Sequence, residues 1–347
     1  MRWATQVITR EASGTLPGLA RLSNLIRSVQ TPEFEGITFH EVLAKSALNR
    51  VADASKMPFD WTINPYRGCS HACAYCFARP SHAYLGLDPG RDFESQIVVK
   101  VNIAEVLRAE LARPSWTRER VSIGANTDAY QRAEGRYRLM PGIITALARS
   151  GTPFGFLTKG SLVRRDLPLL AAAAKDVGVG IGFTVAIVDD ALQRSVEPGT
   201  PTTAARLATL AAAREAGLEP FVYMAPILPY LTDGTEHLDD TLRQIRDAGT
   251  ASVSYEVLHL RPGVKENFAV WLERFRPDLI PRYRALYGRG SDVPDEYKRD
   301  LAARLRPLLR AHGFESGRRA TVDVGPEHAA PSARAVGRSA QPVPTLF

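Results

Sequence analysis

Cysteine is nearly absent from this 347-residue chain. There are three, all within Asn64-Pro65-Tyr66-Arg67-Gly68-Cys69-Ser70-His71-Ala72-Cys73-Ala74-Tyr75-Cys76-Phe77. None is left to pair elsewhere, which argues against a disulfide framework of the secreted kind. No run of about 18 apolar residues occurs, so no spanning helix is expected, and Met1-Arg2-Trp3-Ala4 lacks the apolar core of a signal peptide. The expectation is a soluble cytoplasmic protein with no membrane partner. Strong charge imbalance is missing too. The 44 Lys and Arg against 37 Asp and Glu leave +7, which permits nucleic acid or another anionic partner without requiring one. Apolar residues are plentiful at 45%, enough for one large core or two modest domains.

The three cysteines are spaced by three and then two residues. Spacings of four and seven would also place them on one helical face as small buried hydrophobes. However, Pro65, Gly68, Ser70 and His71 read as a loop leaving a short strand. Thiolates are soft ligands suited to iron–sulfur clusters, zinc or copper(I), and three of them leave a site one ligand short. A structural zinc would need a fourth ligand, His71 or a distant one. A [4Fe–4S] cluster, which ordinarily takes four cysteines, would keep one iron open.

Residues 1–56 read as an N-terminal extension with two short helices, around Gly18–Val29 and Phe39–Ala52. Phe59–Ile63 alternates apolar and polar, a strand signal. After the cysteine stretch come Gln96–Val101 in extended form and a helix from Ile103 to Ala112. Helix, glycine stop and short apolar strand then recur, with strands expected at Val121–Asn126, Phe154–Thr158, Val179–Val185, Phe221–Ala225 and Ser252–Leu258. Six strands separated by helices predict an α/β fold with a parallel sheet. The strands read as mostly apolar, as burial on both faces requires. Residues 57–260 form the core of this reading, 261–316 a helical C-terminal cap, and 317–347 a tail too poor in apolar residues to order itself.

Cys69-x3-Cys73-x2-Cys76, with the aromatic Tyr75 before the last cysteine, resembles the signature of the radical S-adenosylmethionine (SAM) enzymes. The resemblance implies that three thiolates hold a [4Fe–4S] cluster and that SAM chelates the fourth iron. One electron then cleaves SAM to a 5′-deoxyadenosyl radical that takes hydrogen from a substrate. It implies a partial (β/α)6 barrel of TIM type with the site at the C-terminal strand ends, and an electron donor such as flavodoxin or ferredoxin. Further marks are similar to spore photoproduct lyase and its uncharacterised relatives, over roughly residues 60–260: Thr158-Lys159, Phe183-Thr184, Glu197-Pro198-Gly199-Thr200 with Arg206-Leu207 behind it, and Ala225-Pro226-Ile227.

By that resemblance Asn126, Thr127, Lys159 and Thr184 face the polar groups of SAM, Tyr75 and Phe77 lie beside its adenine, and Ala225 and Pro226 offer the adenine a flat apolar surface. From the residues alone, Asn126 and Thr127 equally suit a turn or helix cap. Arg67, Arg79, Asp128, Gln131 and Glu197 are further polar groups that could meet a substrate, with Glu197 alternatively capping a helix near Thr202. One departure matters. The lyase uses a cysteine at the end of its second strand to return hydrogen to its product, whereas Ala125 stands at that position here. Repair by that route is therefore not expected, and Tyr130 is a substitute donor only if it is not simply packed. The resemblance and the charge together make nucleic acid the leading substrate class, with a non-catalytic zinc module as the rival reading.

Overall fold

Two sheets organise the described residues, 10–11, 24–52 and 59–314 of this computed structural model. The strands in chain order are Arg10–Glu11 (β1), Leu25–Gln30 (β2), Thr38–Val42 (β3), Leu48–Arg50 (β4), Trp61–Ile63 (β5), Tyr66–Arg67 (β6), Gln96–Lys100 (β7), Val121–Ile123 (β8), Phe154–Thr158 (β9), Val179–Thr184 (β10), Phe221–Ile227 (β11) and Val253–Val257 (β12). The larger sheet has the order β12-β11-β10-β9-β8-β5-β4. Its six strands from β5 to β12 pair in parallel and in sequence order, with β4 antiparallel at one edge. Helices Met140–Arg149, Leu167–Ala173, Thr203–Glu215 and Thr235–Asp247 connect successive strands. This is the expected (β/α)6 arrangement.

Register shows why the strands face as they do. Ile63, Ile123, Phe156 and Ile181 form one row across β5, β8, β9 and β10, each no more than 1% exposed, within the main apolar core. The neighbouring row on the opposite face is Thr62, Ser122, Gly155 and Gly180. At this level the opposite face carries only small and polar side chains, whereas two residues further along it Leu157 and Phe221 flank Gly182.

The N-terminal helices expected at Gly18–Val29 and Phe39–Ala52 are not formed. Residues 18–23 lie outside the described residues, and the remainder is strand and loop: β2 and β3 join β1, β7 and β6 in a second sheet, while β4 joins the first. The β-branched and aromatic Ile26, Val29, Thr38, Phe39 and Val42 suit these strands. Each residue of β3 is buried because β2 flanks it on one side and β7, about 58 residues later in the chain, on the other. Beyond β12 the chain is helical, at Val264–Phe275, Ile280–Tyr287 and Asp295–Ala311. The tail expected at 317–347 lies outside the described residues. No helix among them is long and apolar enough to cross a membrane.

Candidate active site

The cysteine loop leaves β5 at the C-terminal end of the parallel sheet, pairs briefly with β7 through β6, and is then fastened on every side. Gly68 turns it with φ of 84°, and a Cβ there would lie 2.8 Å from the Phe93 carbonyl oxygen. The amide of Cys69 donates to that carbonyl at 3.0 Å. Gln131 donates from Nε2 to the Gly68 carbonyl at 3.0 Å and accepts from the Ser70 amide at 2.8 Å. Thr127 donates its hydroxyl to the same Gly68 carbonyl at 2.7 Å. Arg79, 1% exposed, donates to the carbonyls of Cys73 and Ala72 and pairs with Glu94 at 2.6 Å.

A second segment, Val196-Glu197-Pro198-Gly199-Thr200, clamps the loop from β10's side. Ala74 donates its amide to Val196 at 2.9 Å, and Gly199 donates to His71 at 3.0 Å. The approach is so close that a Cβ on Gly199 would sit 2.0 Å from the Ser70 carbonyl oxygen, which only glycine permits. The Tyr75 hydroxyl donates to Glu197, which is ion-paired with Arg206, both about 1% exposed. Arg206 also donates to Thr200 Oγ1 at 2.6 Å and to the Thr184 carbonyl at 3.3 Å. From the C-terminal helices, Asn267 Nδ2 donates to the Ala74 carbonyl at 2.7 Å.

With the backbone bonded, the sulfurs remain. Cys69 and Cys73 are buried and Cys76 is half-buried. Burial pushes the Cys73 thiol up to about 12, with Glu197 adding to this while Lys159 and Arg206 oppose it. Cys69 is raised by burial and then by Asp128 and the other two thiols, and Cys76 by burial. A bound cation reverses that tendency and draws out the thiolates. The Ser70 hydroxyl in the same loop is buried without a partner among the described residues. Three soft donors in an otherwise bonded loop fit an iron–sulfur cluster, whose thiolates bind separate irons. Among the described residues no three His, Cys, Asp or Glu side chains converge as ligands of one ion, and His71 faces Asp128 at 3.3 Å. The zinc reading gains no support.

The remaining candidates fall into two groups. Near the loop, the Lys159 ammonium lies 5.6 Å from the centre of the Tyr75 ring, acting electrostatically on Cys73, Cys76 and Glu197. Asn126 is exposed at the strand end, with its amide on Asn64 Oδ1 at 2.8 Å; Thr184 is buried, and Ala225 and Pro226 are half-buried at the end of β11. Phe77 is half-exposed beneath Arg261. The other group is structural. Asp128 accepts from Thr158 Oγ1 at 2.6 Å and the Lys159 amide at 2.7 Å. Burial alone would raise it, but His71 and these donors hold it at about 2. Tyr130 packs on Phe156 with its hydroxyl 3.2 Å from Asp166, which is the packed role rather than a hydrogen donor's. The helix cap considered for Glu197 is supplied by Thr202, whose hydroxyl accepts from the Ala205 amide at 3.2 Å. Sequence reading quoted Arg206 and Gly199 only as marks of the resemblance, missing the ion pair of the one and the clamping role of the other, and it did not single out Asn267. Glycine between proline and threonine in the 197–200 run was the only local signal.

The sequence profile of the radical SAM superfamily matches residues 63–245. An uncharacterised protein of Mycobacterium tuberculosis is 56% identical over 313 residues, 89% of this chain and 92% of that protein. An uncharacterised protein of Methanocaldococcus jannaschii is 26% identical over 194 residues, 56% of this chain and 69% of that protein. Among solved structures, a mutant spore photoproduct lyase with bound AdoMet and dinucleoside spore photoproduct shares the fold, with a TM-score of 0.59 at 18% identity over 80% of both chains. Membership implies SAM and an iron–sulfur cluster as cofactors. The profile match across the parallel sheet, on a chain whose three cysteines share one clamped loop, makes this protein a member of the radical SAM superfamily and an enzyme of that type.

Proposed function

We propose that Cys69, Cys73 and Cys76 hold a [4Fe–4S] cluster, that SAM completes its fourth iron, and that the substrate is a nucleic acid. The observation that carries this reading is the loop itself, bonded along its backbone with its three sulfurs left as donors beside the Lys159 ammonium. When bound, the two cofactors supply hydrogen abstraction by a 5′-deoxyadenosyl radical. Lys159 then pairs with the carboxylate of SAM. Asn126 and Thr184 take its other polar groups, and Thr127 keeps one lone pair for the same purpose while holding Gly68. Tyr75, Phe77, Ala225 and Pro226 flank the adenine. The strand-and-helix core, closed by the C-terminal helices Val264–Phe275, Ile280–Tyr287 and Asp295–Ala311, excludes water from the reaction. A one-electron donor such as flavodoxin or ferredoxin belongs to this reading, as does a cytoplasmic setting.

Nucleic acid is favoured by the composition of the C-terminal helices. Residues 261–312 hold twelve Lys or Arg and seven Asp or Glu, so most of the chain's excess charge sits beside the strand ends. There Arg282 stacks 3.8 Å over the ring of Tyr230, in the segment following β11, a pairing suited to a base or phosphate.

Anaerobic reconstitution should give about four irons and four sulfides per chain, and dithionite with SAM should yield 5′-deoxyadenosine. Cys73→Ala should lose both. One zinc without sulfide would overturn the reading. Lys159→Ala should keep the iron and weaken SAM binding about tenfold or more, and unchanged affinity would remove Lys159 from the SAM site.

A further inference from the structure

The small sheet carries a concentration of charge that the cysteine loop does not use. Register sets Arg67 of β6 opposite Val98 of β7, and Lys100 lies two residues beyond Val98. Both side chains therefore leave the same face as diagonal neighbours, within reach of one another. Each is partly buried, and neither has a hydrogen bond or ion pair among the described residues. The carboxylate acting on Lys100 is Glu110, whose Oε2 already accepts from the amides of Ala47 and Leu48 at 3.0 and 2.8 Å. The histidines of the neighbourhood, His40 and His82, bring no negative charge; His40 is held by Ser28 and Gln96. Arg67 is not among the charges that act most on the three thiols, which include Asp128, Glu197, Lys159 and Arg206. Burial and the neighbouring Arg67 draw Lys100 down to about 8.

Two adjacent cations taken partly out of water without an acceptor are unfavourable unless something anionic joins them. Guanidinium and ammonium together offer a fork of planar donors and a compact point charge, the combination that suits a dianionic tetrahedral group. We propose that Arg67 and Lys100 form a binding site for a phosphate group on the face of the small sheet opposite Tyr66. The site is separate from the three sulfurs, and the proposal does not depend on what they hold.

The test is thermal denaturation of the full chain with inorganic phosphate, at ionic strength matched with chloride. Phosphate should raise the Tm by about 3 °C or more. Arg67→Gln and Lys100→Gln should each abolish the shift, and Lys100→Arg should retain it, with circular dichroism confirming that each variant folds. Lys100→Gln should also melt above the parent in phosphate-free chloride, because an unpartnered buried charge is gone. If a short DNA duplex gives the same variant-sensitive shift at lower concentration, the phosphate belongs to a nucleic-acid backbone; if inorganic phosphate alone does so, it belongs to a small ligand. No shift in the parent, or an equal shift in parent and Lys100→Gln, overturns the proposal.

Discussion

Gly199 and Gly217 are both glycines, for different reasons. At Gly217 the backbone is left-handed, φ of 79°, and nothing lies within 4 Å of a Cβ. At Gly199 the obstacle is the cysteine loop, with the Ser70 carbonyl oxygen 2.0 Å from where a Cβ would stand. Gly217→Ala should therefore cost about 1 kcal/mol through backbone strain alone and leave iron retention intact. Gly199→Ala must push one backbone away from another. It should cost about 1–3 kcal/mol and reduce the iron retained after reconstitution, measured by metal analysis alongside Tm. Equal iron content in the two variants would show that the 196–200 segment does not set the loop's shape. The cysteines were legible in sequence because their spacing is local. Gly199 was not, because its partner stands some 130 residues away and only the folded chain brings them together.

Between elements, the junction that matters joins the cysteine loop, the 196–200 segment and the helix Thr203–Glu215 through Tyr75, Glu197 and Arg206. Burial works against the charge on Glu197, yet Arg206 and Lys159 hold its carboxyl below the usual range. Removing one member of such a pair strands the other in a dry interior. Arg206→Met should destabilise the protein by about 3–5 kcal/mol in chemical denaturation, and adding Glu197→Gln should recover much of that loss. No recovery would mean the pair contributes through shape rather than charge. The parallel strands could be read from glycine stops and apolar runs because each β/α unit is built from neighbouring residues. The N-terminal strands could not. Leu25–Gln30 and Thr38–Val42 do carry the β-favouring Ile26, Val29, Thr38, Phe39 and Val42, but each is only five or six residues long, and β7, the strand that decides the matter for β3, arrives only after the cysteine loop.

For the whole molecule, the net charge of +7 is unevenly placed, with five of those charges contributed by residues 261–312. Charge in that location predicts salt-sensitive association with a polyanion. Fluorescence anisotropy with labelled single-stranded DNA or RNA should show affinity falling steeply between 50 and 200 mM salt, as is typical of several phosphate contacts. Arg282→Ala should weaken it by about 1–2 kcal/mol. Binding that is absent, or indifferent to Arg282, would point to a protein or small-molecule substrate instead.

The fastening of the cysteine loop also orders events at the ribosome. Cys69, Cys73 and Cys76 emerge early, whereas the residues that bond Ala74 and His71 belong to 196–199 and the last contact to Asn267. Until residues 196–199 and 267 follow, the thiols stand on an unfinished barrel, open to metal and to oxidant alike. The loop is sealed only when the nascent chain has passed residue 267, so loading the thiols is easiest before that point and protecting them becomes easier after it.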